Sequence, residues 1–192
     1  MTTKTAESIE RPVGRRRMRL TKLFRRFLVP SPLRTLLYGL RFRAWVSPRA
    51  EVDYTPNLVL GKGVVISAFV KIKATDGPMV IGERTSIGAG CVLSSGTAGI
   101  SIGRDVLLAA NTVLIANNHR YDRVDIPINQ QGLRSLGITI EDDVWLGANC
   151  SVLDGSHIEE GCIVNAGSVV TGKLPARRIA TGSPARAIFE RR

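Results

Sequence analysis

Histidine, cysteine and aromatic residues are scarce in this chain of 192 residues: two His, three Cys, and 5% for Phe, Trp and Tyr together. Two histidines exclude a zinc site built from three imidazoles. Three cysteines, Cys91, Cys150 and Cys162, provide no disulfide framework and suit a reducing compartment. Long apolar runs are also missing. The longest uncharged stretch, Thr85 to Gly103, is Gly, Ser or Thr at 11 of its 19 positions, which is no transmembrane helix. Cations from Arg15 to Arg26 interrupt any apolar core of a secretory signal, so none is expected.

Acidic residues are nearly absent from the first 50 positions, which hold 13 Lys/Arg against Glu7 and Glu10. The remainder carries 14 charges of each sign, so the net +11 belongs to an N-terminal segment. Within it Leu20, Leu23, Phe24, Phe27 and Leu28 form an amphipathic stripe, with Arg17, Arg19, Lys22, Arg25 and Arg26 around it. Pro30-Ser31-Pro32 ends that helix and opens another, with Ser31 as N-cap and Pro32 at the first helical position. Leu33, Leu36, Leu37 and Leu40 are its stripe. The expectation is a basic helical extension over 1–45 that caps an open end of the body, its residues 15–29 also suited to an anionic membrane face. No aromatic or motif signature accompanies the charge, so nucleic acid is not an expected partner.

What the chain does have is a rhythm. Ile140, Leu146, Val152, Ile158, Val164 and Val170 recur every six residues. Four positions after the first five stand Val144, Cys150, Ser156, Cys162 and Ser168, with turn residues between. Neither a helix nor a half-buried strand has that period, so the reading is a solenoid of short strands joined by corners. Upstream the rhythm returns in triplets: Leu60, Ile66, Ile72; Ile81, Ile87, Leu93; Ile102, Leu108, Leu114. Triplets imply three hexads per coil, hence a three-sided prism of five to six coils, with Val46 and Val52 beginning one more. The cysteines fall at the small inward positions.

The hexads IGERTS, IGAGCV, IGRDVL, IEDDVW, LGANCS and IEEGCI resemble those of the hexapeptide-repeat acyltransferases, over about residues 46–188. The resemblance implies an all-β solenoid, a left-handed parallel β-helix spanning 46–192 with the helical extension before it. The expected divisions within it are an excursion at 116–138 and a closing segment at 176–192. The excursion, between Leu114 and Ile140, is the one long break in the ladder, and long loops without structure of their own are often functional. His119 stands where it departs. His157, in DGSHIEEG, reads as an outward corner residue on the surface.

Asn117-Asn118-His119 followed by Val144-Trp145-Leu146-Gly147 is similar to the sugar-acetylating members, and Pro127-Ile128 with Gln131-Gly132 resembles the branch acting on polysaccharide and lipopolysaccharide. In that family the histidine is a general base and the acyl donor is acetyl-CoA, so the resemblance makes His119 catalytic, with no metal. It assigns Trp145, Ala148, Ala166 and Thr171 to the pantetheine arm and Lys173 and Arg186 to phosphates. Asn118 and Asp122 fall to the acceptor side, with Asp122 or a backbone carbonyl left to orient the imidazole. The family's state, a homotrimer, and a cytoplasmic location go with it. Two positions depart from the pattern: Thr171-Gly172-Lys173-Leu174-Pro175 moves the lysine by one, and Ala89 stands where the galactoside and maltose acetylases have Asn. O-acetylation of a sugar hydroxyl is the leading expectation. N-acylation of a nucleotide-linked amino sugar and a non-catalytic scaffold are the alternatives.

Overall fold

Each hexad closes one side of a triangle. The computed structural model describes residues 31–191, and the amphipathic stripe from Leu20 to Leu28 lies outside the described residues. The first face stacks Trp45–Val46, Val65–Ile66, Ser86–Ile87, Leu107–Leu108, Trp145–Leu146, Ile163–Val164 and Arg178–Gly182 in parallel. The second stacks Glu51–Val52, Lys71–Lys73, Val92–Ser94, Val113–Ile115, Ser151–Leu153 and Val169–Val170. The third stacks Leu58–Leu60, Met79–Ile81, Ile100–Ile102, Ile138–Ile140, His157–Ile158 and Lys173–Leu174. Six turns around the triangle at about 4.8 Å each make a column roughly 29 Å tall.

The ladder register puts the six-residue positions in vertical files. Ile66, Ile87, Leu108, Leu146 and Val164 pair in succession on the first face and are all buried. Leu93, Leu114 and Val152 do the same on the second, and Ile81, Ile102 and Ile140 on the third. The three cysteines are free and buried, and burial pushes each thiol above its ordinary range. Corners are tight. Arg84, Asp105 and Asp143 turn between third and first faces in the left-handed region, as do Asn111 and Asn149 between first and second.

At the open end, helix α1 (Ser31–Phe42) closes the first coil, but not through its leucines. Tyr38 is the buried anchor. Its ring lies 6.2 Å from Phe42 and 6.0 Å from Tyr54, and its hydroxyl donates to the Asp53 carbonyl. Thr35 donates to the Val46 carbonyl at 2.8 Å. The expected stripe of Leu33, Leu36, Leu37 and Leu40 is exposed instead. The larger aromatic rings hold more apolar area against the coil, so they set the helix's rotation. At the far end Ala185–Glu190 folds back antiparallel on Arg178–Gly182. Among the described residues no helix is long and apolar enough to cross a membrane.

Candidate active site

The excursion leaves the prism at Ala116 and returns at Gly137 without breaking the stack: Ile100–Ile102 pairs directly with Ile138–Ile140. It is not structureless. Asn118–His119 and Leu133–Arg134 form a short antiparallel arm, Asn118 opposite Arg134 and His119 opposite Leu133. At its tip Ile128–Gln130 makes a 3₁₀ turn. The Gln131 amide spans the bend, its oxygen accepting from the Arg123 N–H and its nitrogen donating to the carbonyls of Arg123 and Ile126. This gives Gln131 of the Pro-Ile-x-x-Gln-Gly segment a structural task.

The neck of the arm is held by two side chains that the sequence did not single out. Ser135 donates to the Ala116 carbonyl at 2.5 Å and accepts from the Ala98 N–H at 2.9 Å. Asp154, buried one coil on, accepts from the N–H groups of Leu136 and Gly137 with a single oxygen, at 2.7 and 2.9 Å. Its other oxygen is buried without a partner. In sequence Asp154-Gly155 reads as an ordinary turn; only the returning loop gives the carboxylate its partners.

His119 is exposed, and its ring makes no hydrogen bond among the described residues. Asn118 and Asp122 are exposed beside it, and no bond joins Asp122 to the imidazole. The proposed donor-side residues are spread around the prism. Thr171 occupies the same second-to-third corner as the arm, two coils on, about 10 Å along the column. Ala148 and Ala166 stack on the first-to-second corner, where the Gly167 N–H bonds the Ala148 carbonyl at 2.9 Å. The intervening face is about 15 Å wide. Gly147 is obligatory there, because a Cβ would lie 2.5 Å from the Ala166 nitrogen.

The neighbours of the Ala148 amide are committed: Gly147 donates to Val164 and Asn149 to Ala110. Trp145 is exposed on the first face, in register with Leu107 and Ile163. Lys173 lies on the third face and is held by Glu159 at 2.6 Å, which raises its pKa. Arg186 is exposed on the closing hairpin, opposite Thr181. One chain therefore sets Asn118, His119 and Asp122 at one corner with Thr171 two coils along it, Ala148 and Ala166 at the next corner, and Trp145 on the face beyond.

His157 differs from its expectation. It lies in a third-face strand, half-buried, with Nε2 2.6 Å from a Glu141 carboxylate oxygen. It helps line an open groove of about 400 Å³ with Pro78, Ser101, Leu136 and Thr139, beneath the returning arm. The signal available in sequence was its register with Thr139, visible only once the coil is closed. Among the described residues no group of three or more His, Cys, Asp or Glu is placed to hold a metal.

Comparison with known proteins agrees with this architecture. The model of the bacterial transferase hexapeptide (six repeats) matches residues 137–172, and that of the hexapeptide repeat of succinyl-transferase matches 78–116. A Mycobacterium tuberculosis protein named as a probable acetyltransferase is 33% identical over 73% of this chain and 48% of its own length. The chain thus spans about half of that relative. Escherichia coli WbbJ, named for lipopolysaccharide biosynthesis O-acetyl transfer, is 28% identical over 78% of this chain and 76% of its own.

Among solved structures, the polySia-specific acetyltransferase NeuO superposes with a TM-score of 0.53 at 31% identity, over 70% of this chain and 65% of its own. The Bacillus cereus N-acyltransferase AntD, solved with coenzyme A and a dTDP-amino sugar, shares the fold at a TM-score of 0.72 and 23% identity, over 83% and 89% of the two chains. The winding is the left-handed parallel β-helix that the hexads implied. Repeat, prism and relatives together show a chain built of hexapeptide repeats and similar to the transferases that carry them.

Proposed function

We propose that this chain is an O-acetyltransferase that moves acetyl from acetyl-CoA to a sugar hydroxyl during polysaccharide, lipopolysaccharide or lipid-linked saccharide assembly. The observation that carries the reading is His119, exposed on a paired arm at the long break in the prism. A sugar hydroxyl is a weak nucleophile near neutral pH, and a positioned imidazole typically contributes ~10²–10⁴ in rate by taking its proton. The hydroxyl oxygen attacks the thioester carbonyl, the carbon–sulfur bond then breaks, and the imidazolium returns the proton to the departing thiolate. The amide at Ala148 is the proposed donor to the oxyanion, a contact worth about 3–4 kcal/mol.

His119 and Ala148 stand on different corners of one chain, one face apart, which supports a site assembled between copies, the His119 corner of one prism facing the Ala148 corner of the next in a homotrimer. Trp145, Ala166 and Thr171 would then line the pantetheine arm, with Arg186 towards the phosphates. Lys173 reaches a phosphate only by leaving Glu159. The groove under the arm, polar at Ser101, Thr139 and His157, suits an acceptor lying along the third face past Asn118 and Asp122. In this reading 1–45 is a separate extension, 46–192 the catalytic body, and the enzyme works in the cytoplasm.

The test is thiol release from acetyl-CoA across a panel of glycans and nucleotide-linked amino sugars, beside His119→Ala. Acetylation of hydroxyl-only glycans, lost in the variant, is expected. Undiminished rate in the variant rejects the catalytic assignment, and activity confined to amino sugars rejects O-transfer.

A further inference from the structure

Helix α1 has two faces of opposite character. Tyr38 is 2% exposed and lies on the first coil, whereas Leu33, Leu36, Leu37 and Leu40 are 46, 55, 37 and 74% exposed at i, i+3, i+4, i+7 spacing. A single exposed leucine needs no account; four on consecutive turns form a patch that does. The patch sits in a stretch of one charge sign. Residues 11–50 contain twelve Lys/Arg and no Asp or Glu. Arg41 on α1 lies over the rings of Phe42 and Tyr54, and exposed Arg43 follows the helix.

Three occupants compete for the leucine face, and charge decides between them. The upstream stripe, Leu20 to Leu28, has matching apolar residues. Folding it onto α1 would gather its cations and those of the helix in one place, with no acid between positions 11 and 50 to offset them. A second copy docked through the same face would double that repulsion. A bilayer with anionic headgroups supplies both the apolar layer and the countercharge, each nearby cation adding to the attraction.

We infer that α1 is a membrane-docking helix. Leu33, Leu36, Leu37 and Leu40 enter the headgroup–acyl boundary of an anionic leaflet, and the prism stands with its first coil towards the lipid. The docking surface is thus α1 itself, a structured helix, and it is independent of the acyl-transfer chemistry.

Flotation of the full chain tests this, using vesicles of phosphatidylcholine alone or with about a third phosphatidylglycerol. The wild type should float with the anionic vesicles and stay behind with the neutral ones. Replacing all four leucines by Gln should cut the floated fraction about tenfold while leaving the β-sheet circular dichroism and melting midpoint unchanged. Flotation equal to wild type in that variant, or none in the wild type, overturns the inference. A fluorophore on Leu40→Cys should shift to the blue only when anionic vesicles are added. A blue-shifted signal in buffer alone would mean that the chain itself covers the face, and would overturn it too.

Discussion

Two residues of the candidate site do different work, and their variants should separate it. The His119 ring bonds to nothing else among the described residues, so His119→Ala should leave the melting midpoint within about 1 °C while turnover falls ~10²-fold or more, measured by thiol release. Asp154 is the converse, buried and committed to the neck of the arm. Asp154→Ala strands two N–H groups, at a cost of about 2 kcal/mol, and should lower the midpoint by roughly 4–8 °C by calorimetry. It should lower turnover as well, through the loosened arm. A midpoint unchanged in Asp154→Ala would show that water replaces the carboxylate without loss. His119 was recognisable in sequence because histidine is rare and the rhythm stops beside it. Asp154 was not, since an Asp-Gly pair at a corner is ordinary and its partners lie 17 and 18 residues away.

Between elements, a ladder of arginines and aspartates runs along the third-to-first corner. Arg84 forks onto both oxygens of Asp105 at 2.7 and 2.6 Å, and Arg104 binds Asp142 at 2.6 and 2.9 Å. The hydrogen-bonding guanidiniums hold both carboxylates below their ordinary value of 3.8. Groups with depressed folded pKa values stabilise above the ordinary value and lose that contribution as pH falls through the folded one. All four side chains are exposed, so the effect is small and weakened by salt. Arg84→Gln with Arg104→Gln should therefore lower the urea midpoint slightly near pH 6, and the difference should shrink as the pH falls below 3.8 and the carboxylates take up protons. A difference that stays constant as the carboxylates protonate would point to lost packing of the arginine stems rather than charge.

Across the whole molecule, the first face carries an outward file of Trp45, Val65, Leu107 and Trp145, all exposed on the single chain. A patch of this kind marks an association surface. With His119 and Ala148 on different corners, association is also what would complete the site. If the chain assembles as the proposed trimer, Trp145→Asp should convert it to monomers by light scattering and abolish turnover, with the circular dichroism of the prism unchanged. A monomeric wild type with full activity would sink the shared site.

The sequence by itself determined the prism, its three sides, the inward files and the place where the stack is interrupted. Each hexad reports whether a residue faces the axis or the solvent, and burial enforces that choice one residue at a time. The tertiary structure alone decided which residues meet across coils, from Asp154 at the neck to His157 in the groove. It also decided which face of α1 turns inward. Periodicity marks Leu33, Leu36, Leu37 and Leu40 as one stripe, but the rotation of a helix on a coil depends on which of two apolar faces gains more from contact. Tyr38 and Phe42 won that competition through ring packing with Tyr54 and a hydrogen bond to Asp53, none of which a repeat of six records.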